Sequence, residues 1–353
     1  MDCDSKILKN YRMAAMGYSL LVNYKGEEVL SCYDGSIPDL GFRYTSQTVY
    51  DLASLTKVLA TLPLTLILLD RDEITLKDSI SSLNLFTEFK NIGKLTIENL
   101  LTHTSGMIPD KPLWKIGKDR YSYLKGIDEE AERAIPYTQE WYSDLNFILL
   151  GFVLEEIYGK SLDRAFRDEI ALKLGLKYTT FNPDFDKSII APTENTPDRG
   201  LVWGKVHDEK SYYIGGIAGH AGLFSNAEEI SKLVFSMMDE TLFSQSTFLL
   251  STENRNKYVG GIFGLGWMTK TERPNNPSKS FDLSGFFGDY SPFGSIGHTG
   301  FTGTSLLVDL ENEIQVILLT NRVYPTRENE GHIRFRRLVH NSIYRSLGVG
   351  PFQ

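Results

Sequence analysis

A serine and a lysine stand three residues apart at the head of a long apolar run. Ser54-Leu55-Thr56-Lys57 is followed by residues 58–69, in which all but Thr61, Pro63 and Thr65 are aliphatic. On a helix such a pair shares one face, one turn apart. A serine hydroxyl is a poor nucleophile and needs a base beside it. A lysine amine can be that base if its pKa falls from about 10.4 toward neutrality, through burial or nearby positive charge. The spacing alone is weak evidence, because a chain of this length should show S-x-x-K about once or twice by chance. It recurs at Ser122 and Lys125, in a polar, aromatic stretch with no apolar helix behind it. Ser54 differs in context: a helix N-terminus there favours developing negative charge.

Other segments carry candidate chemistry. Tyr142-Ser143-Asp144 precedes a helical pattern. A phenol near a serine can act as general base or acid when cations lower its pKa, although Tyr142 alone reads as a packed aromatic. His298-Thr299-Gly300 precedes an apolar strand. A glycine there would let a substrate backbone approach closely, and the strand edge can offer an N–H to an oxyanion. Alone it reads as a glycine-rich turn. Residues 100–106 read as a helix end. His207-Asp208 and His220 lack the spacing of a metal site, which needs three or four converging ligands, so no metal is expected. His220, in a glycine-flanked loop, remains a candidate to face substrate. His103, His332 and His340 read as structural or surface residues, and the aromatic stretch 281–293 as a loop over the site or a surface excursion.

These residues need a globular frame. The chain has 353 residues, 41 % hydrophobic and 23 % charged, enough for one large domain or two small ones. Its net charge of −8, without long runs of either sign, argues against nucleic acid or an anionic membrane as partner. Residues 1–10 are charged and show no signal-peptide pattern, and the run 58–69 is too short to span a bilayer. Cys3 and Cys32 are the only cysteines. They form neither a disulfide framework nor a zinc site, and the expectation is two reduced thiols in a cytoplasmic protein.

The N-terminal part reads as a hairpin, with strands near 14–24 and 28–33 around Lys25-Gly26. The Ser54 helix follows, and Pro63 should kink it or end its first half. Residues 74–200 are mostly helical in pattern, with a short helix near 96–101, an amphipathic helix at 146–158 stopped by Gly159, and a loop at 182–200. A helix is expected at 227–238, strands at 260–268, 304–309 and 314–321, and a closing helix at 331–347. Strands at both ends with helices between them predict an α+β fold. One antiparallel sheet is built from both termini and flanked by helices, with a mostly helical insertion. The expected organisation is a single catalytic domain over 1–353, with a sheet region of about 1–60 and 210–353 and a helical region of about 61–209.

Six segments in order resemble a known family: SLTK (54–57), LLTHTSG (100–106), YSDLN (142–146), AGHAGLFS (218–225), GLGW (264–267) and GHTGFTGTS (297–305). The chain resembles the serine β-lactamase and penicillin-binding-protein superfamily. It is most similar to the class C branch, which also holds β-lactamase-like carboxylesterases, D-aminopeptidases and D,D-carboxypeptidases. The resemblance implies the transpeptidase-like fold. It implies Ser54 as the acylated nucleophile, Lys57 and Tyr142 sharing the proton work, and backbone N–H groups of Ser54 and Phe301 as the oxyanion hole. Residues 218–223 would border the site opposite Thr299.

Two departures bear on substrate. Asp144 stands where the class C motif has Asn, and an anion there would hold Lys57 charged and shift weight to Tyr142. His298 stands where the third motif has Lys, and a neutral imidazole anchors a carboxylate more weakly. Asp144, His298, Thr299, Gly300 and His220 are the expected substrate-binding residues. The expected function is a serine hydrolase acting through a Ser54 acyl-enzyme on small esters or amides, without a cofactor. The alternatives are a D,D-peptidase or D-aminopeptidase, a weak β-lactamase, and a non-enzymatic penicillin-binding sensor. The partner is a small ester, amide or short peptide, and the oligomeric state is left open.

Overall fold

The computed structural model describes residues 2–350. The outermost positions of the expected 1–353 unit, residues 1 and 351–353, lie outside the described residues. A seven-stranded antiparallel sheet organises the chain. We label its strands β1 (Gly17–Tyr24), β2 (Glu27–Ile37), β3 (Phe42–Arg43), β4 (Met268–Thr269), β5 (Ile296–Thr299), β6 (Ser305–Asp309) and β7 (Ile314–Thr320). Their order is β3-β2-β1-β7-β6-β5-β4, so the two ends of the chain meet at β1 and β7, with Tyr18 opposite Thr320 and Tyr24 opposite Ile314.

Side chains alternate across the sheet with the period of two that a strand imposes. Leu20, Val22, Leu307, Val316 and Leu318 join Phe335, Val339 and Ile343 of the closing helix Gly331–Leu347. Leu21, Leu306, Val308, Ile317 and Leu319 point the other way, into a larger core with helix Ala227–Met238 and the Ser54 helix. Because both faces are covered, the central strands read as continuous apolar runs.

The Ser54 segment is helical from Ala53 to Asp70, and most of it is buried. It has the length and composition of a bilayer span but forms the interior of the larger core. A π-helical turn, Lys57–Thr61, precedes the α-helical part Leu62–Asp70. Pro63 has no N–H to donate and sits in the first turn of that α-helix, where none is needed. The expected kink is therefore taken up as a wider turn just after Lys57.

The sequence expectations differ from the structure in three places. Residues 260–268 are mostly turns, and only Met268–Thr269 pairs as a strand. The Glu140 carboxylate accepts hydrogen bonds from the N–H groups of Ile262 and Phe263, at 2.8 and 2.9 Å, in place of a strand ladder. Helix Asp144–Tyr158 is buried along residues 145–154 rather than amphipathic. Cys3 and Cys32 are joined in a disulfide with Cα atoms 5.5 Å apart, not two free thiols. The hairpin returns β2 beside the N-terminal segment, a proximity that a separation of 29 residues does not reveal. Short strands also occur within and beside the helical stretch: Leu223–Ser225 pairs with both Tyr50–Asp51 and Thr180–Phe181.

Candidate active site

Ser54 sits in a tight turn held from several sides. The Asp51 carboxylate accepts from the N–H of Ala53 at 2.8 Å and from the N–H of His207 at 2.6 Å. Ala53, just before the serine, has φ 47°, a left-handed conformation that is uncommon for a residue with a Cβ. The end of β5 locks onto the same turn. Thr302 Oγ1 donates to the Asp51 carbonyl at 2.7 Å and Thr304 Oγ1 to the Leu52 carbonyl at 3.0 Å. Gly300 is required by this approach, since a Cβ there would lie 2.4 Å from the Leu52 oxygen. Gly300 thus packs between Thr304 Oγ1 and the nucleophile's own turn, in addition to the substrate approach expected from sequence.

Lys57 is fully buried, and its Nζ lies 2.9 Å from Ser54 Oγ, 2.8 Å from Asp144 Oδ1 and 3.2 Å from the His220 carbonyl oxygen. Burial alone would lower its pKa, but Asp144 and then Tyr142 outweigh it and raise the pKa above the ordinary value. Tyr142 stands beside Lys57 and Ser54. Burial raises the phenol's pKa, and both neighbours, the Lys57 charge first, act to lower it. Lys57 also lies 4.9 Å from the Tyr142 ring centroid. Asp144 stands in the first turn of its helix, where the dipole favours an anion, and its pKa is held well below the usual range chiefly by Lys57 and Lys210 against burial.

The loop 218–222 reaches this centre through a close backbone crossing. A Cβ on Gly219 would lie 2.1 Å from the Phe147 carbonyl oxygen and 3.0 Å from Gly151. The crossing delivers two carbonyls to the Ser54 helix, from Gly219 to Thr61 Oγ1 at 2.6 Å and from His220 to Lys57.

A cavity of about 400 Å³ opens over Ser54, and Tyr142, Asp144, Thr299, Gly300 and Phe301 line it. Ser54 and Phe301, whose backbone N–H groups are the expected oxyanion hole, therefore border one space. Two expected substrate contacts do not line it. His298 is fully buried, with Nδ1 2.9 Å from the Thr299 carbonyl oxygen, and burial followed by the Lys57 charge lowers its pKa to about 3. It stays neutral at any pH near 6. His220 is buried with Nε2 2.8 Å from Asp208 Oδ1, so its backbone rather than its ring serves the site. Ser122 instead donates its N–H and hydroxyl to the carboxylate of Asp119, the N-cap of its own helix, at 2.9 and 2.8 Å.

Sequence reasoning missed three features. His103 is buried with φ 57°; its Nδ1 accepts from the Ser143 N–H at 3.1 Å, and its ring lies 4.7 Å from that of Tyr142. Lys210 is buried with Nζ 2.7 Å from Asp110, 3.2 Å from Asp144 and 3.5 Å from Asp208. Arg322 and Arg336 line the cavity and are buried, and among the described residues neither has a carboxylate within ion-pair distance. A lone Lys or Arg between unremarkable neighbours gives no sequence signal. Asp144, Asp208 and His220 do converge as metal ligands would, but Lys57 and Lys210 supply the cations that their carboxylates contact. The aromatic stretch reaches the site through Leu283, and His332, expected to be structural or at the surface, also lines the cavity.

Residues 9–341 match the β-lactamase family. The chain is 33 % identical over 326 residues to an Escherichia coli (strain K12) protein named "Putative D-alanyl-D-alanine carboxypeptidase", covering 82 % of this chain and 73 % of that one. The fold is similar to that of an octameric penicillin-binding protein homologue from Pyrococcus abyssi, with TM-score 0.72, 19 % identity, and 97 % and 76 % of the two chains covered. It is also similar to the D-amino acid amidase of Ochrobactrum anthropi SV3, with TM-score 0.69, 18 % identity, and 96 % and 98 % covered. By these matches, over nearly its whole length, the chain belongs to the β-lactamase family of serine hydrolases.

Proposed function

We propose that this protein hydrolyses an acyl bond through a Ser54 acyl-enzyme, and that its substrate carries a free carboxylate. The observation that carries the first part is the Lys57 Nζ, 2.9 Å from Ser54 Oγ at a cavity that admits a small substrate. In this reading Ser54 Oγ attacks the scissile carbonyl while Lys57 and Tyr142 accept its proton as one unit. The N–H groups of Ser54 and Phe301 stabilise the oxyanion. Tyr142 then returns the proton to the leaving group and activates the deacylating water.

The second part rests on Arg336. Its guanidinium is buried, donates to the Thr304 carbonyl at 3.1 Å, and leaves Nε without a partner. Burial, then Arg322, lowers its pKa to about 9. A buried cation without a counter-ion is costly unless a ligand supplies the anion. This supports a short peptide with a free C-terminal carboxylate, in keeping with the name of the Escherichia coli relative. The expectation of weak carboxylate anchoring, and so of a preference for neutral esters, rested on the missing lysine at position 298, and Arg322 and Arg336 supply positive charge from other elements. The Cys3–Cys32 bond supports an oxidising compartment over the cytoplasm expected from sequence.

Intact-mass spectrometry with a D-Ala-D-Ala peptide, a β-lactam and a p-nitrophenyl ester tests the reading. The expected result is an adduct on Ser54 and a kcat/KM higher for the peptide than for the ester. Faster cleavage of the ester at pH 7.5 would restore the neutral-ester reading, and absence of any Ser54 adduct would remove the acyl-enzyme.

A further inference from the structure

Lys57 and Lys210 belong to one closed circuit of contacts. Lys57 Nζ meets Asp144 Oδ1 at 2.8 Å, and Asp144 Oδ2 meets Lys210 Nζ at 3.2 Å. Lys210 meets Asp208 Oδ2 at 3.5 Å, and Asp208 Oδ1 meets His220 Nε2 at 2.8 Å. The His220 carbonyl returns to Lys57 at 3.2 Å. Each carboxylate thus spends one oxygen on each neighbour. Asp208 is held in place as the cap of the short helix Glu209–Tyr213, accepting from the Ser211 N–H at 2.8 Å. Tyr123 fixes the Lys210 backbone, donating to its carbonyl at 2.9 Å.

We propose that Lys210 is a positioning residue for the proton chemistry at Ser54: by sharing Asp144 with Lys57, it offsets the negative charge that this chain carries where the class C motif has a neutral Asn. An anion bound to Lys57 alone would hold the ammonium protonated and keep Tyr142 from ionising. With a second buried cation on its other oxygen, Asp144 orients Lys57 by hydrogen bonding and raises its pKa less than an unshared carboxylate would. Asp144 and Lys210 as a pair are neutral, as Asn is, with the Asp208 carboxylate also drawing on Lys210 at 3.5 Å. This inference rests on the acyl-enzyme reading.

The charged and titratable groups around these residues are few. Lys57 faces Asp144 and Tyr142, with His103 and His298 buried and neutral nearby. Lys210 faces Asp110, Asp144 and Asp208, and its pKa is raised because those carboxylates outweigh burial. Asp110 is largely exposed, so solvent screens it, and the buried balance is set by the other two. Removing Lys210 leaves Asp144 undivided. The pKa of Lys57 rises, and so does that of Tyr142, because an anion loses a nearby cation. Whichever of the two is the base, activity on the acidic side is lost at higher pH.

The test is the pH profile of kcat/KM with a p-nitrophenyl ester, alongside labelling of Ser54 by an active-site phosphonate. Lys210→Gln should move the acidic limb up by about one pH unit. Asp144→Asn should move it down, and the double variant should return it toward the parent. Lys210→Arg should keep the parental limb, since it keeps the charge. A structural role alone would lower rate or stability in Lys210→Gln without moving the limb. A folded Lys210→Gln with the parental limb overturns the proposal, as does a double variant that keeps the single-variant shift. If Lys210→Gln does not fold, an unmoved limb in Asp144→Asn overturns it instead. A parent in which the phosphonate misses Ser54 sinks the acyl-enzyme reading and this inference with it, and is recognised by the label before any pH profile is read.

Discussion

Lys57 and Lys210 are buried with carboxylates at 2.8 and 3.2 Å, whereas Arg322 and Arg336, also buried around the same cavity, donate only to backbone carbonyls among the described residues. The first pair is electrically complete, and its ammoniums have little left to offer a ligand. The second pair has undergone desolvation without a counter-ion, which an unliganded protein tolerates only at a cost in stability. The difference separates two tasks. In the proposed function, paired charge holds a proton path in register and unpaired charge receives the substrate's anion. The stretch 298–300, where the class C motif has a lysine that would anchor a carboxylate, here carries no cation: His298 is neutral and buried.

Substitutions on the two sides should therefore fail differently. Ser54→Ala should lower kcat by at least about 10³-fold on every substrate, because no other group can be acylated. Comparable turnover in this variant would place the chemistry elsewhere. Lys57→Ala and Tyr142→Phe should each cost at least about 10²-fold in kcat on esters and peptides alike. Their combination should cost much less than the product, since the two share one proton; multiplicative losses would mean two independent roles.

Arg336→Gln should discriminate between substrates. For a peptide with a free carboxylate, losing one charge-assisted hydrogen bond of roughly 1.5–3 kcal/mol lowers kcat/KM by about 10- to 150-fold. For a neutral p-nitrophenyl ester the change should be less than about threefold. Equal losses on both would erase the contrast between the two sides and return Arg336 to the frame of the fold.

The smallest effect on activity is expected from pH acting on the histidines. His298, at about 3, adds no inflection to the rate profile between pH 5 and 8, and its protonation cannot create a carboxylate anchor at pH 6. Stability should respond instead. His103, His298 and His340 are held neutral by burial, while the unfolded chain takes up protons below about pH 6.5. The unfolded state then binds more protons than the folded one. Stability should fall on acidification below about 6.5, by up to about 1.4 kcal/mol per pH unit for each such histidine. Thermal unfolding at pH 7, 6 and 5 reads this, and a midpoint that rises with acid would show that these rings are not neutral in the fold.

Much of the frame was legible in the chain. Strands and helices follow apolar periodicity, so the hairpin, the helices Ala227–Met238 and Gly331–Leu347 and the strands at 305–309 and 314–320 lie close to where the pattern puts them. Residues 260–268 misled because β-rich composition cannot show that the Glu140 carboxylate, from 122 residues away, takes the ladder's donors. Gly300 lines the cavity as expected, and only the fold shows that Leu52 also presses against it.

Spacing on one element, and motif order along the chain, determined the nucleophile candidate: Ser54 and Lys57 are one turn apart wherever that helix goes. Family membership was likewise readable from six ordered segments. Only the tertiary structure decided what each charge does. Whether Asp144 binds one lysine or two, whether His298 meets solvent, whether Cys3 reaches Cys32 and whether Arg336 finds a counter-ion all depend on contacts between distant segments. The strength and sign of an electrostatic effect follow from burial and from the nearest opposite charge, and neither is a property of local sequence.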